Sequence, residues 1–381
     1  MKSYKIEIQL TNKQIIMFRK SVGTCRYTYN LFIKENKERY LHGIPFLNAI
    51  SFSKWLNNFY LPNNPSLNWI KESSTKATRQ SISNAEQAYK RFFRGQNKFP
   101  RFKKKKDNNI SMYFVRSNSK HVIGIKEKRI KIPVLGWVKI KEFGYIPLSC
   151  KITSGHIIER AGRFYMAVNT EESLEIKKNN YNDGIGVDLG IKYFAIASNG
   201  QIFKNINKTT KISKIEKKLK REQRKLSRKF KNKKKGDAVG KNQYKQSIKV
   251  QRLYLRLSNI REDHRNQIAN TLAKTKPKYI TIENLNIRGM MKNRHLSKAI
   301  SKQGFYSFIQ KLKFKCIENS IELRQVDTFY PSSKMCSKCG KIKKDLKLSD
   351  RVYKCDCGLT INRDLNASLN LKQAIKYKIV T

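Results

Sequence analysis

The sequence predicts a multidomain α/β protein, and three observations carry that reading. Residues 184–200, GIGVDLGIKYFAIASNG, form a strand-turn-strand pattern, and residues 278–285, KYITIENL, form a second β run beyond two long helical patterns. Residues 110–170 are a further strand-rich stretch, preceded by helical periodicity. Four cysteines cluster between 336 and 357. A chain of 381 residues is long enough for two or three such units.

In the central stretch Ile185, Val187 and Leu189 alternate with Gly186, Asp188 and Gly190. Period-2 alternation makes a strand with a carboxylate in its middle. Tyr193 to Ser198 is a second apolar run, and Asn199-Gly200 is a hairpin turn leading into Gln201-Ile202-Phe203. The glycines beside Asp188 are read as removing side chains that would crowd an approaching ligand. Such a carboxylate suits a divalent cation held against a phosphate; a surface aspartate on a meander is the plainer alternative.

Charge sets the partner. Lys and Arg number 83 against 27 Asp and Glu, a net charge of +56. So large an excess repels itself unless a polyanion neutralises it, which points to nucleic acid. Hydrophobic residues at 39% and aromatics at 10% exclude a simply disordered chain. The basic groups run along the whole chain, which argues against a membrane surface. No apolar run is long enough to span a bilayer, and Met1-Lys2-Ser3-Tyr4-Lys5 begins no secretion signal. Seven cysteines without a signal imply a reducing compartment and no disulfides.

Tyr4 to Leu10 alternates as a short strand, and Thr11 or Asn12 caps a helical region. Ile15, Phe18, Val22, Cys25, Tyr29 and Phe32 recur at helical spacing into what reads as a next helix. Pro62 and Pro65 break the pattern, and a helix from about 73 to 93 follows. On it Lys76, Gln80 and Ser83 share a polar face, while Ala77, Ala85, Ala88 and Phe92 suit a buried one. That polar face is either simply solvated or reads a duplex, since Gln pairs with adenine edges and Lys with phosphate or guanine. Arg94, Arg101 and Lys103 to Lys106 interleave with Phe99 and Phe102, a composition suited to backbone tracking and base stacking. SMYFV, HVIGI, RIKIP, WVKI and RFYMAV then read as strands of a small β-barrel or sandwich, joined by the first strand.

Ile212, Ile215, Leu219, Leu226 and Phe230 mark one long helix from 211. Leu253, Leu257, Ile260, His264, Ile268 and Leu272 mark its antiparallel return. His264 reads as a packing histidine. Pro277 ends the return helix, and Glu283 closes the next β run. Hairpin, helical crossover and parallel strand follow the logic of a ribonuclease-H-like sheet, which would place Glu283 beside Asp188. One helix is expected over 298–319 and a strand over 321–326.

Cys336-x-x-Cys339-Gly340 and Cys355-x-Cys357-Gly358 are separated by 15 residues. Four thiolates in a reducing compartment fit a closed, structural zinc site, although the second pair is one residue shorter than usual. In NRDLNASLNL, residues 362–371, Asn362 is an N-cap and Asp364 lies in the first helical turn, where it serves the helix dipole or a metal.

GVDLG at 186–190, TIENL at 281–285, the cysteine pairs and NRDLNASLNL stand in one order that closely resembles the TnpB family, the RNA-guided DNA endonucleases of insertion sequences. CRYTYNLF at 25–32 and RFFRGQNKFPRFK at 91–103 extend the resemblance over nearly the whole chain. It implies a C-terminal ribonuclease-H-like RuvC domain with a zinc ribbon, and an N-terminal wedge β-barrel with a helical recognition insertion. The expected boundaries are 1–10 and 107–180 for the wedge, 11–106 for recognition, 181–330 and 359–381 for RuvC, and 331–358 for the ribbon. Asp188, Glu283 and Asp364 match the catalytic acids that hold two Mg²⁺ for phosphodiester hydrolysis, one metal activating water and one stabilising the leaving oxygen. Cys336, Cys339, Cys355 and Cys357 match the ligands of one Zn²⁺. Lys76 and Gln80 resemble positions that read a short motif beside the target.

The implied partners are a structured transposon-derived guide RNA and double-stranded target DNA, with base pairing supplying specificity. A monomer carrying one RNA in a prokaryotic cytoplasm completes the expectation. The alternatives are an RNA-guided repressor, a strand-transferring transposase and a miniature CRISPR effector.

Overall fold

The computed structural model describes residues 2–105, 111–116, 123–171, 181–234, 237–347 and 349–380. The expected basic run through Lys106, the start of the HVIGI strand and part of the 231–240 turn lie outside the described residues. The chain divides into two compact units, Met1–Ser173 and Leu174–Thr381.

In the first unit β1 (Lys2–Gln9) leads into α1 (Asn12–Leu41). Thr11 is the N-cap: its side chain accepts from Gln14 N while the Gln14 side chain accepts from Thr11 N, a reciprocal capping box. The two helices expected here are one of 30 residues, because no Pro or positive-φ residue interrupts the stripe of Phe18, Cys25, Tyr29 and Phe32 that it buries. Burial pushes the Cys25 thiol up to about 12, as expected of a small core residue.

After α2 (Ala49–Trp55) and a 3₁₀ segment at Pro65–Glu72, α3 (Thr75–Phe93) starts from a Ser74 cap. Ala77 and Ala85 are buried on it, whereas Lys76 is exposed. The strands β2 (Met112–Val115), β3 (Ile125–Lys126), β4 (Arg129–Ile132), β5 (Gly136–Ile140), β6 (Lys151–Arg160) and β7 (Arg163–Glu171) join β1 in one antiparallel sheet. Its order is β2-β6-β7-β1-β5-β4-β3. The first strand joins this sheet, as predicted, and takes the central place in it. β6 carries no clear strand signal in the sequence, because its polar residues Ser154, His156 and Glu159 blur the alternation. The sheet packs its Ile and Val face with Phe18, Cys25 and Ala77; a second cluster lies among the helices around Phe32, Phe52 and Tyr89.

In the second unit β8 (Ile185–Leu189), β9 (Tyr193–Ala197) and β10 (Ile202–Lys204) form the predicted meander, with Gly200 at φ +83° in its turn. The helices α4 (Thr210–Phe230) and α5 (Lys241–Lys274) follow. Gln243 donates to Lys229 O, Gln246 to Glu222 O, and Arg261 to Glu216, a reversed order that makes the pair antiparallel. Ile212, Ile215, Leu219, Val250, Leu253 and Leu257 fill their seam. β11 (Tyr279–Ile282) then pairs in parallel with β8 in the register Ile282↔Val187.

α6 (Ile287–Met290), α7 (Ser297–Gln303) and α8 (Phe305–Glu318) lead to β12 (Glu322–Gln325). The single helix expected over 298–319 is broken at Gly304, which sits at φ +64°. The Arg265 guanidinium packs against that glycine and donates to Gln303 O at 3.1 Å. β13 (Val352–Lys354) and β14 (Thr360–Asn362) form a small hairpin; α9 (Arg363–Lys372) and β15 (Lys378–Ile379) end the chain. The larger sheet runs β10-β9-β8-β11-β12-β15, with β8, β11 and β12 mutually parallel. Phe194, Leu272, Ile282, Phe305, Phe308 and Leu323 are in the core beneath it. His264 packs edge-on to Phe194, ring centroids 5.6 Å apart, as a packing histidine should.

Candidate active site and metal centre

The register that places Ile282 opposite Val187 sets the next residues side by side, Asp188 inside β8 and Glu283 just past the end of β11. α9 lies directly on β8. A Cβ at Gly186 would stand 2.0 Å from Ser368 O and 2.4 Å from Lys372 N. The open space read beside Asp188 is thus filled, on the Gly186 side, by the backbone of α9, and this close seating brings the first turn of α9 to the acids. There Asn362 accepts from Asp364 N at 3.0 Å and Leu365 N at 3.2 Å, capping the helix as predicted.

The three carboxylates interact. Burial pushes Asp188 well above the usual carboxylate range, repulsion from Glu283 and Asp364 adds to this, and Arg363 opposes it. Burial also raises Glu283, partly offset by a hydrogen bond from Ser332 and by the charge of Arg363. All three acids keep intermediate exposure, so the group is reachable from solvent. They form a wider arrangement than the cysteines, which are the one set of three or more potential ligands, among the described residues, converging within 4.8 Å. An oxygen-only donor set whose members repel one another fits hard divalent cations, which would supply the missing positive charge.

Ser332, Arg363, Asn366 and Asn370 take roles here that the sequence alone does not mark. Ser332 is buried and donates its hydroxyl to Glu283 Oε1. Asn370 donates to Ser332 O at 2.7 Å, and Asn366 accepts from Ser337 N at 3.0 Å and donates to Met335 O at 2.6 Å. With Asn362 these asparagines stand four residues apart, a stripe legible in NRDLNASLN as a face that binds something polar.

That something is the loop carrying the first cysteine pair. Sγ of Cys336 and Cys357 are 3.6 Å apart, as are those of Cys339 and Cys355. A disulfide would require about 2.05 Å, whereas Zn–S bonds of about 2.3 Å put tetrahedral sulfurs about 3.8 Å apart. The four cysteines could therefore bind zinc. Gly340 at φ +77° and Gly358 at φ +86° make the expected knuckles. Burial would raise the Cys336 thiol, but N–H groups of Cys339 and Lys338 and the neighbouring sulfurs bring it down to about 7.

The residues predicted to contact nucleic acid lie in the first unit. Lys76, Arg94 and Arg101 are exposed, and Gln80 donates to Asn84 at 3.1 Å. Lys103 differs: its ammonium rests 3.8 Å from the Tyr29 ring centroid and its backbone is clamped by Asn30. Tyr29 thus already holds the charge that sequence reading offered to phosphate. Phe99 packs edge-on to Tyr89 and Phe92 and so is partly a core residue.

Fold and cysteine centre together define a mixed α/β multidomain protein of Cas12f-like architecture. Cas12f1 in its complex with sgRNA and target DNA superposes with a TM-score of 0.63 at 16% identity, over 96% of this chain and 83% of that one. The Cas12f1-like TNB domain model matches residues 305–371, the OrfB model of IS605, described as "Probable transposase", matches 165–294, and a helix-turn-helix domain model matches 1–44. That last stretch here is a strand and one uninterrupted helix. The chain is similar to TnpB-type proteins over nearly its whole length. It is 27% identical to InsQ of Escherichia coli (strain K12), named as a candidate RNA-guided DNA endonuclease, over 98% of this chain and 92% of that protein. A protein of the same description from Streptomyces pristinaespiralis is 25% identical over 98% and 89%. Among the described residues no helix is long and apolar enough to cross a membrane.

Proposed function

We propose that this protein is an RNA-guided DNA endonuclease that cleaves double-stranded target DNA by phosphodiester hydrolysis at one RuvC-type, ribonuclease-H-like site. What supports the reading is that Asp188 feels the charges of Glu283 and Asp364, which come from segments far apart in sequence. These acids would hold two Mg²⁺ ions, which when bound supply a water of lowered pKa and charge for the leaving 3′ oxygen.

The protein's own groups prepare that site. Ser332 fixes the Glu283 carboxylate, and Arg363 supplies positive charge that lowers both Asp188 and Glu283. Arg363 is itself held by Lys347 O at 3.0 Å and Ser333 Oγ at 3.3 Å. Exposed Lys and Arg along α4, such as Lys217, Lys220, Arg224 and Arg228, suit polynucleotide backbones. A structured guide RNA would supply sequence specificity by pairing, with Lys76 and Gln80 reading a motif beside the target. In this reading 1–10 and 107–180 form the wedge, 11–106 the recognition insertion, 181–330 with 359–381 the nuclease, and 331–358 a structural zinc ribbon.

The test is to sequence the RNA that copurifies with the protein, then incubate the complex with matching duplex and Mg²⁺. Discrete transcripts with variable 3′ ends and a cut duplex are expected, and Asp188→Ala should abolish cutting while target binding persists. An intact duplex would indicate a repressor, and joined strands without added RNA a transposase.

A further inference from the structure

The first unit holds a cleft of about 840 Å³ between one face of α1, the 3₁₀ segment and the chain at Phe102. This volume is within the range of about 300–1,000 Å³ typical of small-ligand sites. Three features of its wall lack an explanation within the protein. Gly23 sits in the interior of α1, where glycine costs about 1 kcal/mol relative to alanine, yet a Cβ there would meet nothing within 4 Å. No neighbouring side chain or backbone demands that glycine. Arg26, half-buried, has no hydrogen bond or ion pair among the described residues. Trp69 and Phe102 keep 38% and 50% of their surface exposed, and Trp69 meets Tyr27 edge-on at 5.4 Å.

We infer that this cleft binds one unpaired nucleotide of a single-stranded polynucleotide. The base would lie against the aromatic wall, over the space that Gly23 leaves open, with its phosphate on Arg26. Each feature then has a reason. A flat base needs room at the helix surface that any side chain would occupy. Aromatic faces stack on bases of any identity, and a guanidinium without a carboxylate partner is free to take a phosphate in bidentate fashion. Lys20 already faces Glu72 at 3.1 Å, which leaves Arg26 the cation better placed for the ligand. The inference concerns binding alone and stands whether or not the acids of the second unit cut DNA.

Fluorescence anisotropy of the full chain with a labelled 12-nucleotide oligouridylate RNA, and with the matching deoxy oligomer, tests it. Gly23→Leu fills the cleft and favours the helix, so its melting temperature should hold or rise while affinity falls about tenfold. Arg26→Gln should weaken binding comparably and flatten its salt dependence. Ultraviolet crosslinking of a 4-thiouridine probe should mark peptides containing Tyr27, Trp69 or Phe102. Loss for RNA alone would make the 2′-hydroxyl part of recognition; equal loss for both would confine it to base and phosphate. Unchanged affinity of Gly23→Leu for both oligomers, with crosslinks only elsewhere, would overturn the inference.

Discussion

Ser332 donates its hydroxyl proton to Oε1 of Glu283, and the carbonyl of the same serine receives the Asn370 amide at 2.7 Å. One residue thus ties a proposed catalytic acid to the inner face of α9. Because Asp364 lies in the first turn of α9, two of the three acids are held by a single polar network, and the third lies on the strand beneath.

Ser332→Ala should therefore raise the Mg²⁺ concentration for half-maximal cleavage and slow cutting about 10- to 100-fold, as loss of outer-shell partners does. Guide-dependent target binding should be unchanged, and Ser332→Thr should restore most of the rate by restoring the hydroxyl. An Ala variant with a normal magnesium titration would show that Glu283 is positioned without this bond.

Gly186→Ala addresses the seating of α9. The added methyl would occupy space now held by Ser368 O, and the helix must move off β8. A destabilisation of about 1–3 kcal/mol is the usual cost of such overpacking. Cleavage should fall further than stability alone explains, because Asp364 rides on the displaced helix. Zinc content, measured by atomic emission, should stay at one per chain. A variant that cuts normally would mean that the acids tolerate a shifted α9.

Zinc removal should reach the acids through the asparagines. Asn366 holds Ser337 N and Met335 O beside Cys336, and Asn370 holds Met335 O and Ser332 O. Structural zinc sites supply folding energy directly. Cys355→Ser should therefore lose the zinc, open residues 331–358 to protease, and reduce cleavage. The first unit, with its own core, should melt as before. Full cleavage by a zinc-free variant would uncouple the two centres.

The elements that sequence reveals best are those whose burial follows a simple period. β1, β8 and β11 alternate or run apolar, α3, α4 and α5 carry clean stripes, and the cysteine spacing names its own geometry. Asp188 and Glu283 are legible because glycines flank the first on its strand and the second closes an apolar β run. What sequence does not carry is the cause of closeness. The pairing of β8 with β11 and the seating of α9 on Gly186 depend on tertiary packing, so Gly186 read as open space when it is a contact. Ser332 carries no periodic signal at all, since its role exists only once the loop of 331–337 meets α9. Lys103 read as a free cation for the same reason: Tyr29, 74 positions earlier in sequence, claims it only in three dimensions. The break at Gly304 was hidden because Ile300, Phe305 and Phe308 keep their apolar character across it.

The last prediction concerns pH. Asp188 is raised well above its unfolded value by burial and by the charges of Glu283 and Asp364. Between the unfolded value of 3.8 and that raised value the folded protein binds more protons than the unfolded chain, so this residue's contribution to stability falls as pH rises. Without magnesium this residue therefore opposes folding increasingly as the pH rises above 3.8. Asp188→Asn should melt higher than the unaltered protein in magnesium-free buffer at pH 7.5, and the gap should narrow as the pH falls toward 5. Comparing the two proteins at each pH cancels the titrating groups remote from Asp188, such as His156 and His264, which burial lowers. Millimolar Mg²⁺ should raise the melting temperature of the unaltered protein at pH 7.5 and leave that of Asp188→Asn almost unmoved, because ligands stabilise only the state that binds them. Equal magnesium shifts in both proteins would place the cation elsewhere and remove Asp188 from the proposed site.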